Sequence, residues 1–167
     1  MILGISISTF TLLHVIISLV AIVSGLAATG ELLRARPVSA WTGVFLSTTV
    51  STSVTGFFFA SKFGPPHVIG VLSLVLLGAA IYALAGRHLA GRWRAAYVVT
   101  AIAALYLNVF VGVVQAFQKI APLRLLAPTQ SEPPFAIVQG LVLLGFILAG
   151  WMALRRFHPS AKVQTGV

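Results

Sequence analysis

The stretch YLNVFVGVVQAFQK, residues 106–119, is apolar enough to lie in a membrane, yet it carries Asn108, Gln115 and Gln118 and ends on Lys119. Amides in hydrocarbon are costly unless something answers them. A helix that keeps them must turn them toward other protein, or toward a cavity, and leave its remaining surface to lipid. Projected at i+3 and i+4, Thr100, Ala104, Asn108, Gly112 or Val111, Gln115, and Gln118 or Lys119 form one small or polar line. Ile102, Leu105, Val109 and Val113 fall on the opposite side, which is the expected lipid face.

The rest of the chain agrees with a lipid solvent. Of 167 residues, 59% are hydrophobic and 8% charged, and the mean hydropathy is +1.04. A soluble domain carries about 25% charged residues. Five apolar runs are expected to be membrane helices of an all-α bundle: about 6–29, 41–60, 67–86, 95–117 and 134–154. They form one membrane domain spanning residues 1–167, with no soluble domain attached. The opening MILGISISTF has no basic segment before its apolar run, so the first run is expected to stay as a span.

The net charge of +9 is not a nucleic-acid signal. The cations sit in short gaps between the spans, and no base-stacking aromatics accompany them. Their distribution orients the chain. Arg34, Arg36, Arg87, Arg92, Arg94, Arg155, Arg156 and Lys162 fall on one side, against Lys62, Lys119 and Arg124 on the other. The richer side is expected in the cytoplasm, against anionic lipid, with the C-terminus inside and the N-terminus outside. Trp41, Trp93 and Trp151 fall on that same side, where indoles suit the headgroup layer.

In span 1, His14, Ser18, Ala21, Gly25 and Ala28 make one stripe, with Leu12, Val15, Leu19 and Ile22 elsewhere. Span 2 is hydroxyl-rich on most sides, and Leu46, Val50, Val54 and Phe58 form its one apolar seam, the expected lipid face. Such hydroxyls commonly serve helix packing alone. The strongly polar side chains nevertheless gather toward the expected outer end: His14, His67, Asn108, Gln115 and Gln139, with Glu132 beside them. They are the candidate ligand-binding residues of an outward-opening pocket. Above it the proline-rich loop QKIAPLRLLAPTQSEPP is expected to be stiff, with a helical turn at PLRLLA and Ser131 capping the last span; it is either a lid or a strap.

The chemistry available is narrow. With Glu31 and Glu132 as the only acids, in loops on opposite sides, paired-carboxylate and Ser-His-Asp mechanisms are excluded within one chain. No cysteine is present, which removes thiolate chemistry. A zinc site would need His14, His67 and Glu132 to converge, and no ligand spacing supports it. His14 and His67 are the candidates for an axial pair on haem b, and His and Gln suit the carbonyls of a quinone.

Three stretches, LYLNVFVGVVQAFQK (105–119), LAPTQSEPPF (126–135) and TGFFF followed by GPPHVIGVLSL (64–74), resemble a group of small, uncharacterised multi-span bacterial membrane proteins. The resemblance implies a bacterial inner membrane and supplies no catalytic residue. Three functions stay open: binding or passage of a small polar ligand, a haem- or quinone-binding redox protein, and an accessory subunit packed on a membrane partner or a second copy.

Overall fold

The computed structural model describes residues 4–59 and 64–158. They form helices α1 (Ile7–Leu33), α2 (Ala40–Gly56), α3 (Pro65–Ile81), α4 (Arg92–Lys119), α5 (Ala121–Leu126) and α6 (Pro133–Arg156), and no strand occurs among them. Lys62 and Lys162 lie outside the described residues.

Four helical stretches are long and apolar enough to cross a membrane: Ile7–Leu33, Pro66–Gly86, Arg92–Lys119 and Pro133–Arg156. The protein is therefore a multi-pass membrane protein by length and composition. The second of the five expected spans is shorter than its run of sequence: α2 has 17 residues and passes into a tight 3-10 turn at Phe57–Phe59.

Helix ends follow local chemistry. The Ser6 hydroxyl accepts from the Thr9 amide at 3.1 Å and starts α1, and Ser39 accepts from the Trp41 amide at 3.2 Å and starts α2. Ser39 also donates to the Glu31 carboxylate, which ties the first connection together. Prolines open α3, α5 and α6, where the missing N–H costs nothing. The cap of α6 is Glu132, not the expected Ser131, because two prolines follow directly and fix the helix start one residue later. After α3 the chain widens into a π-turn at Tyr82–Gly86, then passes through left-handed backbone at His88, Leu89 and Gly91 to re-enter as α4.

α1, α2, α3 and α4 pack in a ring, each on the next and α4 back on α1, while α6 lies outside against α4 and α1. α4 is thus the centre. Ile102 and Leu105, expected to face lipid, are buried, and Val99 is the large apolar residue α4 leaves exposed. An apolar side chain in a membrane protein suits the core and the lipid equally, so its character does not choose between them.

A second correction concerns α2. Of the expected lipid seam, Val54 and Phe58 are exposed and Val50 is half-buried, but Leu46 is buried, and Val44, Ser47 and Ser51 share the exposed side. Ser47 and Ser51 tolerate that side because each hydroxyl donates to the carbonyl four residues back, at 2.8 and 2.9 Å. In α1 the expected stripe is the one turned inward: Ala21, Gly25 and Ala28 are buried, and His14 and Ser18 half-buried.

The two ends of the bundle differ. At the basic end the core is dry: Phe45, Leu77, Tyr97, Leu105 and Phe157 are each 2% exposed or less. Arg94 closes this end by donating to the carbonyls of Leu154 at 2.9 Å and Phe157 at 2.5 Å. At the opposite end the ring is hollow.

Candidate functional site

A cavity of about 660 Å³ occupies that hollow end, within the ring of α1–α4. Its depth follows from register. Thr11, Phe59, Pro66 and Ile120 stand at the mouth, and Ser18, Thr52, Ser73 and Asn108 line it further in. Just beneath, Asn108 Nδ2 donates to the Thr49 hydroxyl at 3.2 Å, and Thr49 is fully buried. Gly25 lets α1 approach Phe45 and Leu105 there; a Cβ at this position would lie 2.5 Å from Leu105 and 2.7 Å from Phe45. The cavity is therefore a well with a packed floor and a mouth at the end where α1 and α3 begin.

A ladder of hydrogen bonds joins α1 to α2 along one wall. His14 Nδ1 lies 2.8 Å from the Thr55 hydroxyl. The Thr55 proton goes to the Ser51 carbonyl at 2.8 Å, so Thr55 accepts and the imidazole donates from Nδ1. In the neutral ring this leaves Nε2 as an acceptor. One turn deeper, the Ser18 proton goes to the His14 carbonyl at 2.8 Å, so Thr52 donates in the Ser18–Thr52 contact.

Other polar groups of the well are not satisfied by protein. Ser53 and Ser73 line it, are 7% and 3% exposed, and make no hydrogen bond among the described residues. Gln115 and Lys119 line its mouth without a protein partner among the described residues. No acidic side chain belongs to the lining. Between the polar positions the walls are apolar, and they include Val15, Leu19 and Ile22, which helical projection sets apart from the polar stripe of span 1.

Of the six candidate residues, His14, Asn108 and Gln115 meet in this well, and the other three lie elsewhere. The His67 Nδ1 accepts from the Gly64 amide at 3.3 Å at the start of α3, and its ring packs at a tilt against Phe57. Gln139 is buried between α6 and α4. Its Nε2 donates to the Phe110 carbonyl at 3.1 Å, and its Oε1 has no partner among the described residues. Glu132 folds onto its own loop, accepting from the Thr129 amide and hydroxyl and the Ser131 amide. Its carboxyl sits below the ordinary value of 4.5: desolvation raises it, and its own amide together with the hydrogen bonds from Thr129 and Ser131 outweigh that.

This arrangement bears on cofactors. His14 and His67 do not share the cavity, so the well offers one histidine, not an axial pair. Among the described residues no three His, Asp or Glu side chains gather where a metal would be held, and the zinc set of His14, His67 and Glu132 does not form.

Ser53, Ser73 and Lys119 have as good a claim to the site as the amides. Ser53 is masked in the sequence by the hydroxyls around it, and Ser73 by its apolar surroundings in VLSLV. The signal available for Ser73 was its isolation, the one serine or threonine in span 67–86.

The loop over this end contains α5, where Arg124, Leu125 and Leu126 are exposed. Gln130 ties it down by donating to the Val114 carbonyl at 3.0 Å. Compared with protein-family models, with curated proteins and with solved structures, the chain matches none.

Proposed function

We propose that this is a binding protein of a bacterial inner membrane, whose well takes a small amphipathic ligand from the outer side. The N-terminus is outside and the C-terminus cytoplasmic in this reading, which rests on the cation asymmetry. α2 counts as the fifth span. Its 17 residues rise about 25 Å and the three-residue turn adds about 6 Å, close to the ~30 Å hydrocarbon core. The basic end then meets anionic cytoplasmic lipid, and the well opens outward.

One observation carries the function: half of the bundle is packed dry while the other half encloses about 660 Å³. That volume lies in the range of roughly 300–1,000 Å³ usual for small-molecule sites. Apolar walls with a few convergent polar groups are the usual make-up of such a site. The packed floor favours binding over passage.

Thiol labelling tests it, and the absence of native cysteine makes the test clean. Gln115→Cys at the mouth and Ser53→Cys inside are expected to react with a water-soluble maleimide added outside. Leu141→Cys, on the exposed apolar face of α6, is expected to stay unreactive in lipid. Protection of both well positions, with the chain folded, would remove the proposal.

A further inference from the structure

On the reading that the well is a binding site, we infer that its ligand is an uncharged ring bearing hydroxyls on opposite carbons, of the hydroquinone class. The polarity of the lining narrows the choice first. It holds no acid to pair a cation, and its one lysine stands at the mouth, so an ionised group driven to the floor would meet no counter-charge.

The hydrogen-bonding capacity narrows it further. His14 spends its Nδ1 proton on Thr55, so the imidazole presents an acceptor, Nε2, and calls for a donor. Gly56 keeps this edge of the ring uncovered: a Cβ there would meet only His14 Cε1, at 3.8 Å. Ser53 lies three residues before Gly56 on the same face of α2, about 4.5 Å deeper along the axis. Its hydroxyl is unpaired, and so is that of Ser73 across the well on α3.

Many hydroxyls of the chain are satisfied within their own helix. Ser47, Thr48, Ser51 and Thr100 all return their protons to a carbonyl of their own helix. Ser53 and Ser73 do not, although both are more than nine-tenths buried. A hydrocarbon tail laid over them would leave two hydroxyls unsatisfied in a dry site, a costly arrangement. The occupant that reaches them therefore carries an oxygen at its inner end as well as a donor for His14. Two such oxygens about one helical turn apart along the well, with apolar matter between, fit a six-membered ring substituted at opposite carbons. Ile22, Ile69, Leu107 and Val111 supply the apolar walls for its faces. Recognition alone is assigned here, and no electron transfer is part of it.

The test is calorimetric titration of the full chain in detergent micelles with three probes of similar shape: tetramethylhydroquinone, tetramethylphenol, and the dimethyl ether of the first. The diol is expected to bind about five- to tenfold more tightly than the phenol, which lacks the inner oxygen, and by a similar factor over the ether, which lacks the donor for His14, each comparison being one net hydrogen bond. His14→Phe should erase the advantage of diol over ether, and His14→Gln, which keeps an acceptor, should restore part of it. Ser53→Ala combined with Ser73→Ala should erase the advantage of diol over phenol. Each comparison is made within one variant, so a general loss of stability does not mimic the pattern. Gly112→Leu, which fills the well, should abolish binding of all three.

Equal affinity for the three probes, abolished by Gly112→Leu, would overturn the hydroxyl assignment and leave the well as a site held by apolar walls. Equal diol and phenol affinity would overturn the two-oxygen geometry. Failure of all three probes while Gln115→Cys and Ser53→Cys still label from outside would overturn the ligand class alone. Failure of both binding and labelling would remove the site with it.

Discussion

Gly25 is the point at which the packed half of the bundle is most easily overfilled. In Gly25→Ala the new Cβ would stand 2.5 Å from Leu105 and 2.7 and 2.9 Å from the Phe45 ring. Leu105 and Phe45 are 1% and 2% exposed, so neither side chain has open space to move into. Overpacking of this kind costs about 1–3 kcal/mol. Against it stands the helical gain of alanine over glycine, about 0.8–1 kcal/mol. Gly30→Ala in the same helix takes the same gain and meets nothing within 4 Å. The difference between the two variants isolates the clash and is expected to be about 1–3 kcal/mol, with Gly25→Ala the less stable. Reversible unfolding in mixed micelles of increasing SDS content measures it. Adding Leu105→Ala to Gly25→Ala should cost less than Leu105→Ala alone, with a coupling of about 0.5–3 kcal/mol. Equal stability of Gly25→Ala and Gly30→Ala, or no coupling to Leu105, would show that α1 does not approach α2 and α4 this closely.

Asn108→Leu should destabilise the bundle by about 0.6–2 kcal/mol, the range for hydrogen bonds between membrane helices, and the loss should vanish in a Thr49→Val background. For Glu132 the sign follows from its depressed carboxyl. The order it gives the 129–132 loop is present above 4.5, the unfolded value, and is lost as pH falls through the lower folded value. Hydrogen exchange at the Thr129 and Ser131 amides should accelerate across that acidic window, and in Glu132→Gln it should be fast throughout. A reporter enzyme fused after Val167 should be active in its cytoplasmic form and silent in its periplasmic one; the reverse would overturn the orientation.

What could be read from the residues, and what could not, divides along a physical line. Long apolar runs announce helices whatever packs on them, so α1, α3, α4 and α6 were legible within a few residues. Small residues also speak clearly, because lipid gains nothing from Ala21, Gly25 and Ala28 while a neighbouring backbone does. Asn108 was legible as an inward residue for the reason that opened the sequence. The sides of α4 were not. Leu105 in the core and Leu141 outside are the same residue, and in a membrane both positions are apolar. The hydroxyls of α2 were ambiguous for another reason. Ser47 satisfies itself within its own helix and faces outward, whereas Thr49 reaches Asn108 and faces inward. Nothing in the letters Ser and Thr says which of the two a hydroxyl will do. Gln139 and Gln115 look alike in the chain, yet one is consumed by the Phe110 carbonyl and the other is left at the mouth of the well.

The clamp made by Arg94 bears on the order in which the chain is made. Arg94 opens α4, but the carbonyls it holds belong to Leu154 and Phe157, about sixty residues later. While the ribosome is still extending the segment between them, that guanidinium has only water and headgroups to bind. α6 packs along α4 and α1, but the carbonyls that Arg94 holds lie at and just past its last turn, so this contact waits until the helix is complete. Closure of the basic end is thus a late event of synthesis, latched by the final turn of the last helix. A stop before Phe157 would leave the other helices inserted but the bundle unlocked, a state that a membrane protease would distinguish from the finished protein.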